Sequence, residues 1–276
     1  MEVSSISNYG CKFENLLLKY NKLIIDYNEL HNKYNHLLYN NKVIVKKMFL
    51  TSISPDEASI DRQLKAIKSW DNLAIIYSVN IKQEIQKLKT IFTMVNFIET
   101  VNTGEEYFKK PYVYINELLI QARNIVKDGL ICLINSDILI DENINKLDDF
   151  YNLCNGDNLV MANRYDFNNQ ILDGSIQEWG IDVFLFHSKF VSFFNQKIYC
   201  LGQPWWDLWL PSTICSKGID LIHYKKPLFY HKNHENRWNS ENYEYLHKEF
   251  DKEFHTEKLN PSEKYFLTIK KAKVIQ

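Results

Sequence analysis

Cysteine is used sparingly and without pattern: Cys11, Cys132, Cys154, Cys200 and Cys215 are odd in number, widely spaced and include no C-x-x-C pair. That excludes a disulfide framework and a zinc knuckle, and a reducing compartment fits best. No apolar run approaches the ~18 residues of a membrane span, and the start MEVSSISNYG has neither a basic n-region nor a long apolar h-region. The expectation is a soluble, cytoplasmic chain with no transmembrane segment. Concentrated charge is also missing. Formal net charge is -1, the pI is near 6.7, and the pairs Lys46-Lys47, Lys109-Lys110, Lys225-Lys226 and Lys270-Lys271 are scattered. Nucleic acid is therefore not an expected partner, because its binders gather basic charge on one face. Glycine and proline are scarce, at 8 and 6. No internal repeat stands out. Neither a G-x-G-x-x-G nor a G-x-x-x-x-G-K-[ST] is present, so a bound nucleotide needs another way of neutralising its phosphates.

What is present is enough for a large core: 45% of 276 residues are hydrophobic, which suits one large domain with an appendage. Heavy use of Asn, Lys, Ile and Tyr runs through the whole chain, so Asn-rich segments carry little functional weight. Between residues 13 and 42 there is no Gly or Pro. Leu16, Leu23, Leu30 and Leu37 are seven apart, with Tyr20, Tyr27 and Tyr34 in the alternate seam position. This heptad predicts a helix over 1–42 that self-associates as a coiled coil into a homo-oligomer. The second row, Leu17, Ile24, His31 and Leu38, widens the stripe and leaves open a helix folded back on its own domain.

From residue 43 the texture becomes α/β. VIVKKMFLTSI, LAIIYSVN, FTMVNFI and LICLI read as strands separated by the helical segments DEASIDRQLKAIKSW, IKQEIQKLKTI and YINELLIQARNIVKDG. That order predicts a Rossmann-like, mainly parallel wound sheet with helices on both faces. Further strands are expected at NLVMANR, GIDVFLFH and DLIHYKKPLFYH, and a helix at KFVSFF. The domain is drawn as 43–250 and a helical, basic tail as 251–276.

In open α/β sheets, ligands bind outside the carboxyl ends of the strands. Those ends carry Ser52 and Ser54, then Asn80, then Asn135-Ser136-Asp137. Each could equally be an ordinary polar turn. Mg2+ or Mn2+ would use one or two carboxylates with phosphate oxygens and water, and Asp137 directly follows LICLI. In CLGQPWWDLWLP, Asp207 sits among Trp205, Trp206 and Trp209. Desolvation by the indoles would raise its pKa and suit it to accept a proton; the competing reading is a helix-start cap with a tryptophan core. FYHKNHENRW offers His231 and His234, with Arg237 free either to hold a diphosphate or to pair with the acidic helix that follows.

QARNIVKDGLICLINSDILI resembles the segment of GT-A glycosyltransferases, family 2 in particular, in which a helix bearing Ala-Arg-Asn leads through a glycine into an apolar strand ending in Asp-x-Asp. Ala122, Arg123 and Asn124 match the helix signature, Gly129 the turn and Asn135-Ser136-Asp137 the metal motif, with Asn135 in place of the first aspartate. The resemblance implies a GT-A fold and transfer of a sugar from a UDP- or GDP-sugar to a glycan, protein or lipid-linked acceptor. It implies Mn2+ or Mg2+ held by Asp137 and His231, and donor contacts from Ser52, Ser54, Asn80, Arg123, Asn124, Asn135, Ser136 and Arg237. Asp207 would be the base of an inverting reaction. A non-catalytic coiled-coil scaffold with a degenerate GT-A domain is the alternative. A sugar nucleotidylyltransferase ranks below both, because no glycine-rich, arginine-bearing loop follows the first strand.

Overall fold

The computed structural model describes residues 19, 22, 46–141, 143–235 and 238–276. The chain divides into the units Met1–Val45 and Lys46–Gln276. The heptad of the first unit lies outside the described residues, as does Arg237.

The second unit is wound around one sheet. Strands β1 (Lys46–Thr51), β2 (Ile75–Asn80), β3 (Asn96–Glu99) and β4 (Gly129–Ile134) are parallel, in the order β3-β2-β1-β4. Helices α1 (Glu57–Lys68), α2 (Lys82–Leu88), α3 (Glu105–Phe108) and α4 (Ile115–Ile125) lie in the connections. Residues buried on both faces explain the near-continuous apolar strands. Met48, Leu50, Ile131 and Leu133 enter one hydrophobic cluster, while Phe49, Leu130, Cys132 and Ile134 enter the other, as the two-residue period of a strand dictates. Helix α1 begins where the Asp56 side chain accepts from the Ala58 N–H, and Lys65 and Lys68 occupy its last turn. On α4 the buried Ile115, Leu118, Leu119 and Ala122 form an i, i+3, i+4, i+7 stripe against the sheet.

Beyond β4 come β5 (Ile138–Ile140), α5 (Ile144–Asn152), β6 (Asn158–Phe167) and β7 (Ser175–His187). Strand β7 inserts antiparallel between β4 and β6. Then follow α6 (Trp206–Ser216), β8 (Asp220–Tyr224), β9 (Phe229–Lys232), α7 (Ser240–Phe254), α8 (Pro261–Ile269) and β10 (Lys273–Ile275). The sheet continues β7-β6-β8-β10, and β9 pairs with both β5 and β6 at the margin. The single strand expected over DLIHYKKPLFYH is thus two, parted at Lys225-Lys226-Pro227, where proline cannot donate to a ladder. KFVSFF is a short 3-10 helix, Ser188–Phe193, rather than an α-helix. Residues 251–276 belong to the same unit, and β10 extends the sheet beside β8. No helix among the described residues is long and apolar enough to cross a membrane.

Candidate functional site

The carboxyl ends of β1 and β4, the bend between β6 and β7, the start of α6 and the end of β9 open onto one cleft of about 1210 Å³. At its centre lies the Asn135-Ser136-Asp137 turn between β4 and β5. Each of the three side chains has its own partner. Asn135 Nδ2 donates to Asp182 Oδ1 at 2.6 Å, and the Ser136 hydroxyl donates to Gln63 Oε1 at 2.6 Å. Gln63 also accepts from the Ser54 N–H and donates to the Ser54 carbonyl, tying the β1 loop to the β4 turn. Asp137 Oδ2 meets His234 Nε2 at 3.1 Å, Arg62 Nε at 3.4 Å and His231 Nε2 at 3.7 Å. A strand, β5, follows Asp137 at once, and Asn143 caps the next helix, so Asp137 is not a helix cap.

Asp137, His231 and His234 present ligand atoms all within 4.8 Å of one another. The outer nitrogens of both rings are engaged. His231 Nδ1 faces Asp166 Oδ1 at 3.1 Å, and His234 Nδ1 faces the Glu235 carbonyl at 2.7 Å. Both Nε2 atoms point inward, His234 Nε2 lying 3.1 Å from His231 Nε2 and 3.1 Å from Asp137 Oδ2, so a cation at their meeting point would replace these contacts within an outer shell that fixes the rings. One carboxylate and two imidazoles fit a divalent ion, and the nitrogen share suits Mn2+ better than the oxygen-seeking Mg2+. Burial pushes the Asp137 carboxyl up, but hydrogen bonds and charge from both histidines outweigh it and hold it well below the usual carboxylate range. Burial pulls the His231 imidazole down, yet Asp137 and Asp166 raise it to about 9. Asp166 is lowered to about 2, its burial offset by His231 and Arg164.

Arg164 binds Asp166 through Nε at 2.7 Å and Asp182 through Nη1. A closed circuit results, from Asn135 to Asp182, Arg164, Asp166 and His231 and back to Asp137. Asp207 stands in the first turn of α6, in the same cleft. Burial, and then the charge of Asp182, raise its carboxyl to about 7. Pro211 has no N–H to give to the carbonyl four residues back, which is that of Asp207, so the helix start is loosened at this residue. Trp205, just before it, takes a left-handed φ of 72°, uncommon for a bulky side chain. Its ring is held there by His247 stacked at 4.5 Å, Phe250 at 5.1 Å and Tyr243 at 5.5 Å.

Of the residues singled out in the sequence, Ser52, Ser54, Asn135, Ser136, Asp137, His231 and Asp207 line this cleft. Asn80 does not. It is buried behind the β1 loop, accepting from Ser78 Oγ and donating to the Ile53 carbonyl and to Glu84, so it braces the wall. Arg123 and Asn124 are also elsewhere. The α4 stripe ending at Ala122 faces the sheet, and at 100° per residue the next two side chains turn to solvent. They border a separate depression with Asn116 and Lys197. Trp205 and Trp206 line the cleft, whereas Trp209 is in the core, stacked on Tyr199 at 4.6 Å. His234 as a ligand, and Arg164, Asp166 and Asp182 as members of the site, are not among the residues marked by the sequence pattern. A carboxylate inside the apolar run of β7 was the available signal for Asp182, since such a group is buried only when paired.

No protein-family model matches the sequence, and no curated protein matches it. Solved structures do. The structure of S. aureus TarS 1-349 in complex with UDP-GlcNAc aligns with TM-score 0.50 and 13% identity over 79% of this chain and 69% of that one. Another structure of S. aureus TarS 1-349 aligns at 0.45 and 14%, over 80% and 70%. The longer S. aureus TarS structure gives 0.47 and 13%, over 79% and 41%. At this identity the likeness speaks for architecture, and the chain has a GT-A-like fold.

Proposed function

We propose that this protein is a glycosyltransferase that moves a sugar from a nucleotide-sugar donor to an acceptor hydroxyl. The observation that carries the reading is one cleft holding both a compact carboxylate-imidazole cluster and, apart from it, a carboxyl tuned to about 7. These are the two kinds of group that a metal-dependent, inverting transfer uses. A divalent ion bound by Asp137, His231 and His234 would neutralise the diphosphate of the leaving nucleotide. Asp166 and the Glu235 carbonyl keep the two rings turned for that task, and Arg164 holds Asp166 in place. Asp207 takes the proton from the acceptor hydroxyl as it attacks the anomeric carbon, a role that needs a carboxylate whose basicity is close to neutral pH. One base opposite one leaving group corresponds to inversion. The β1 loop with Ser52 and Ser54, tied to Ser136 through Gln63, forms the wall against which base and ribose would rest. S. aureus TarS, similar in fold, has been solved with UDP-GlcNAc, which makes a UDP-sugar the first donor to try.

The test is UDP release from UDP-GlcNAc, with calorimetric donor binding, in the presence and absence of Mn2+. Asp137→Ala should lower Mn2+-dependent donor binding at least about tenfold, through loss of the only carboxylate in the cluster. Mn2+-dependent binding left intact in that variant would move the metal elsewhere.

A further inference from the structure

Strands β6 and β7 lose register at the edge of the cleft. Asn163 pairs with Ile181 and Tyr165 with Ile176, so Arg164 alone lies opposite Gln177, Glu178, Trp179 and Gly180. A bulge of this size leaves ladder groups unpaired, which is costly unless other groups satisfy them. Here buried side chains do so. Asn163 donates through Nδ2 to the Gln177 carbonyl at 2.8 Å and the Glu178 carbonyl at 3.2 Å, and its Oδ1 meets His223 Nε2. Tyr265 of α8 gives its hydroxyl proton to the Glu178 carbonyl as well. Gly180 closes the bulge because a Cβ there would lie 2.8 Å from Gln177 Cγ and 3.0 Å from Arg164 Nε.

Three buried polar side chains, Asn163, His223 and Tyr265, are thus spent on shaping one stretch of strand. What that stretch displays is Trp179, 48% exposed, whereas Trp70, Trp205, Trp206 and Trp209 are buried and Trp238 is partly buried. Its ring is braced by Tyr265 at 4.6 Å and Phe266 at 5.8 Å, and it lines the same cleft as Asp207. An indole backed by other rings and left half in solvent is a flat, rigid, weakly polar surface. It matches the C–H face of a pyranose, and Ser262 and Gln177, the latter donating to Asp166 at 3.3 Å, are polar groups lining the same cleft.

We infer that Trp179, braced by Tyr265, is a preformed platform for a pyranose ring of the acceptor, so that the hydroxyl offered to Asp207 is carried by a glycan. This rests on the transfer reading above. The experiment is saturation-transfer NMR of methyl glucoside, methyl galactoside and methyl N-acetylglucosaminide on the full chain and on Trp179→Ala and Trp179→Phe. At least one glycoside should bind the full chain, with affinity about tenfold lower in W179A and largely kept in W179F. Equal binding to all three proteins, or binding to none, overturns the platform, as does selective binding of a serine-containing peptide or of phosphatidylglycerol vesicles. A separate titration of the unsubstituted chain with UDP-GlcNAc and Mn2+ reads the donor site alone. Its failure beside intact glycoside binding would count against transfer, and its success without glycoside binding would count against the platform.

Discussion

Two residues illustrate how far side-chain chemistry can be argued from position. Asp207 reads in sequence as a carboxylate among indoles, and the structure places it in the cleft beside Trp205 and Trp206 with its carboxyl raised to about 7. If it is the base, only its ionised form works, so the transfer rate should fall about tenfold per pH unit below 7 and level off above it. Asp207→Asn should remove this limb together with the activity. The same shift acts on stability with the opposite sense. A carboxyl whose folded pKa is raised favours the fold most below its unfolded value, and that contribution is lost as pH rises through 7. The Tm of Asp207→Asn should accordingly exceed that of the parent at pH 8 and match it at pH 4, and equal melting at both would contradict the shift. Asn135 is the second case. In sequence it looks like a damaged metal motif; in the fold its amide donates to Asp182 at 2.6 Å, while His234 joins His231 beside Asp137. Asn135→Asp would set two carboxylates in contact, where both cannot ionise. The expected result is a loss of about 1–3 kcal/mol at pH 8, smaller at pH 5, by urea unfolding. A variant as stable as the parent with tighter Mn2+ binding would restore the damaged-motif reading.

At the scale of elements, the four parallel strands and three of the four helices between them are legible from apolar runs and helical period, while the four-residue α3 is not. LICLI and Ile115 to Ala122 are legible examples. The margin is not. Strands β5 and β9 pair with each other across about ninety residues, and the β7 bulge depends on Asn163, His223 and Tyr265 converging from three elements. No local pattern encodes such meetings. The same limit explains why Arg123 and Asn124 matched a motif by letter yet face away from the cleft: helix phase, not adjacency, decides where they point. Gly180 offers an element-level test. Gly180→Ala forces its new methyl against Gln177 and Arg164, and overpacking of this kind costs about 1–3 kcal/mol. Because Arg164 carries both Asp166 and Asp182, Mn2+ binding should weaken along with thermal stability. Unchanged Mn2+ affinity in a destabilised variant would separate the bulge from the cluster.

For the unit as a whole, the boundary matters more than any single contact. Sequence composition sets 251–276 apart as a basic tail, since TIKKAKVIQ resembles a solvated terminus. In the fold, Lys264 is buried against Asp251, Ser212 shares a 2.8 Å hydrogen bond with Thr268, Tyr265 braces Trp179, and β10 pairs with β8. Lys270, Lys271 and Lys273 are exposed as the composition suggests, but Lys264 just before them is interior, which composition cannot reveal. Deleting residues 261–276 would strip two well-buried apolar side chains, Tyr265 and Ile269, worth about 1.5–3 kcal/mol each. It would also leave Asp251 without its buried lysine and β8 with an open edge. A domain of this size loses about 2–4 °C for each kcal/mol, so the truncated chain should melt about 10 °C or more below the parent. Its β7 bulge, deprived of the Tyr265 hydroxyl, should exchange its amide hydrogens faster. A truncated protein that melts with the parent would mean that the cleft is complete without its last helix and strand.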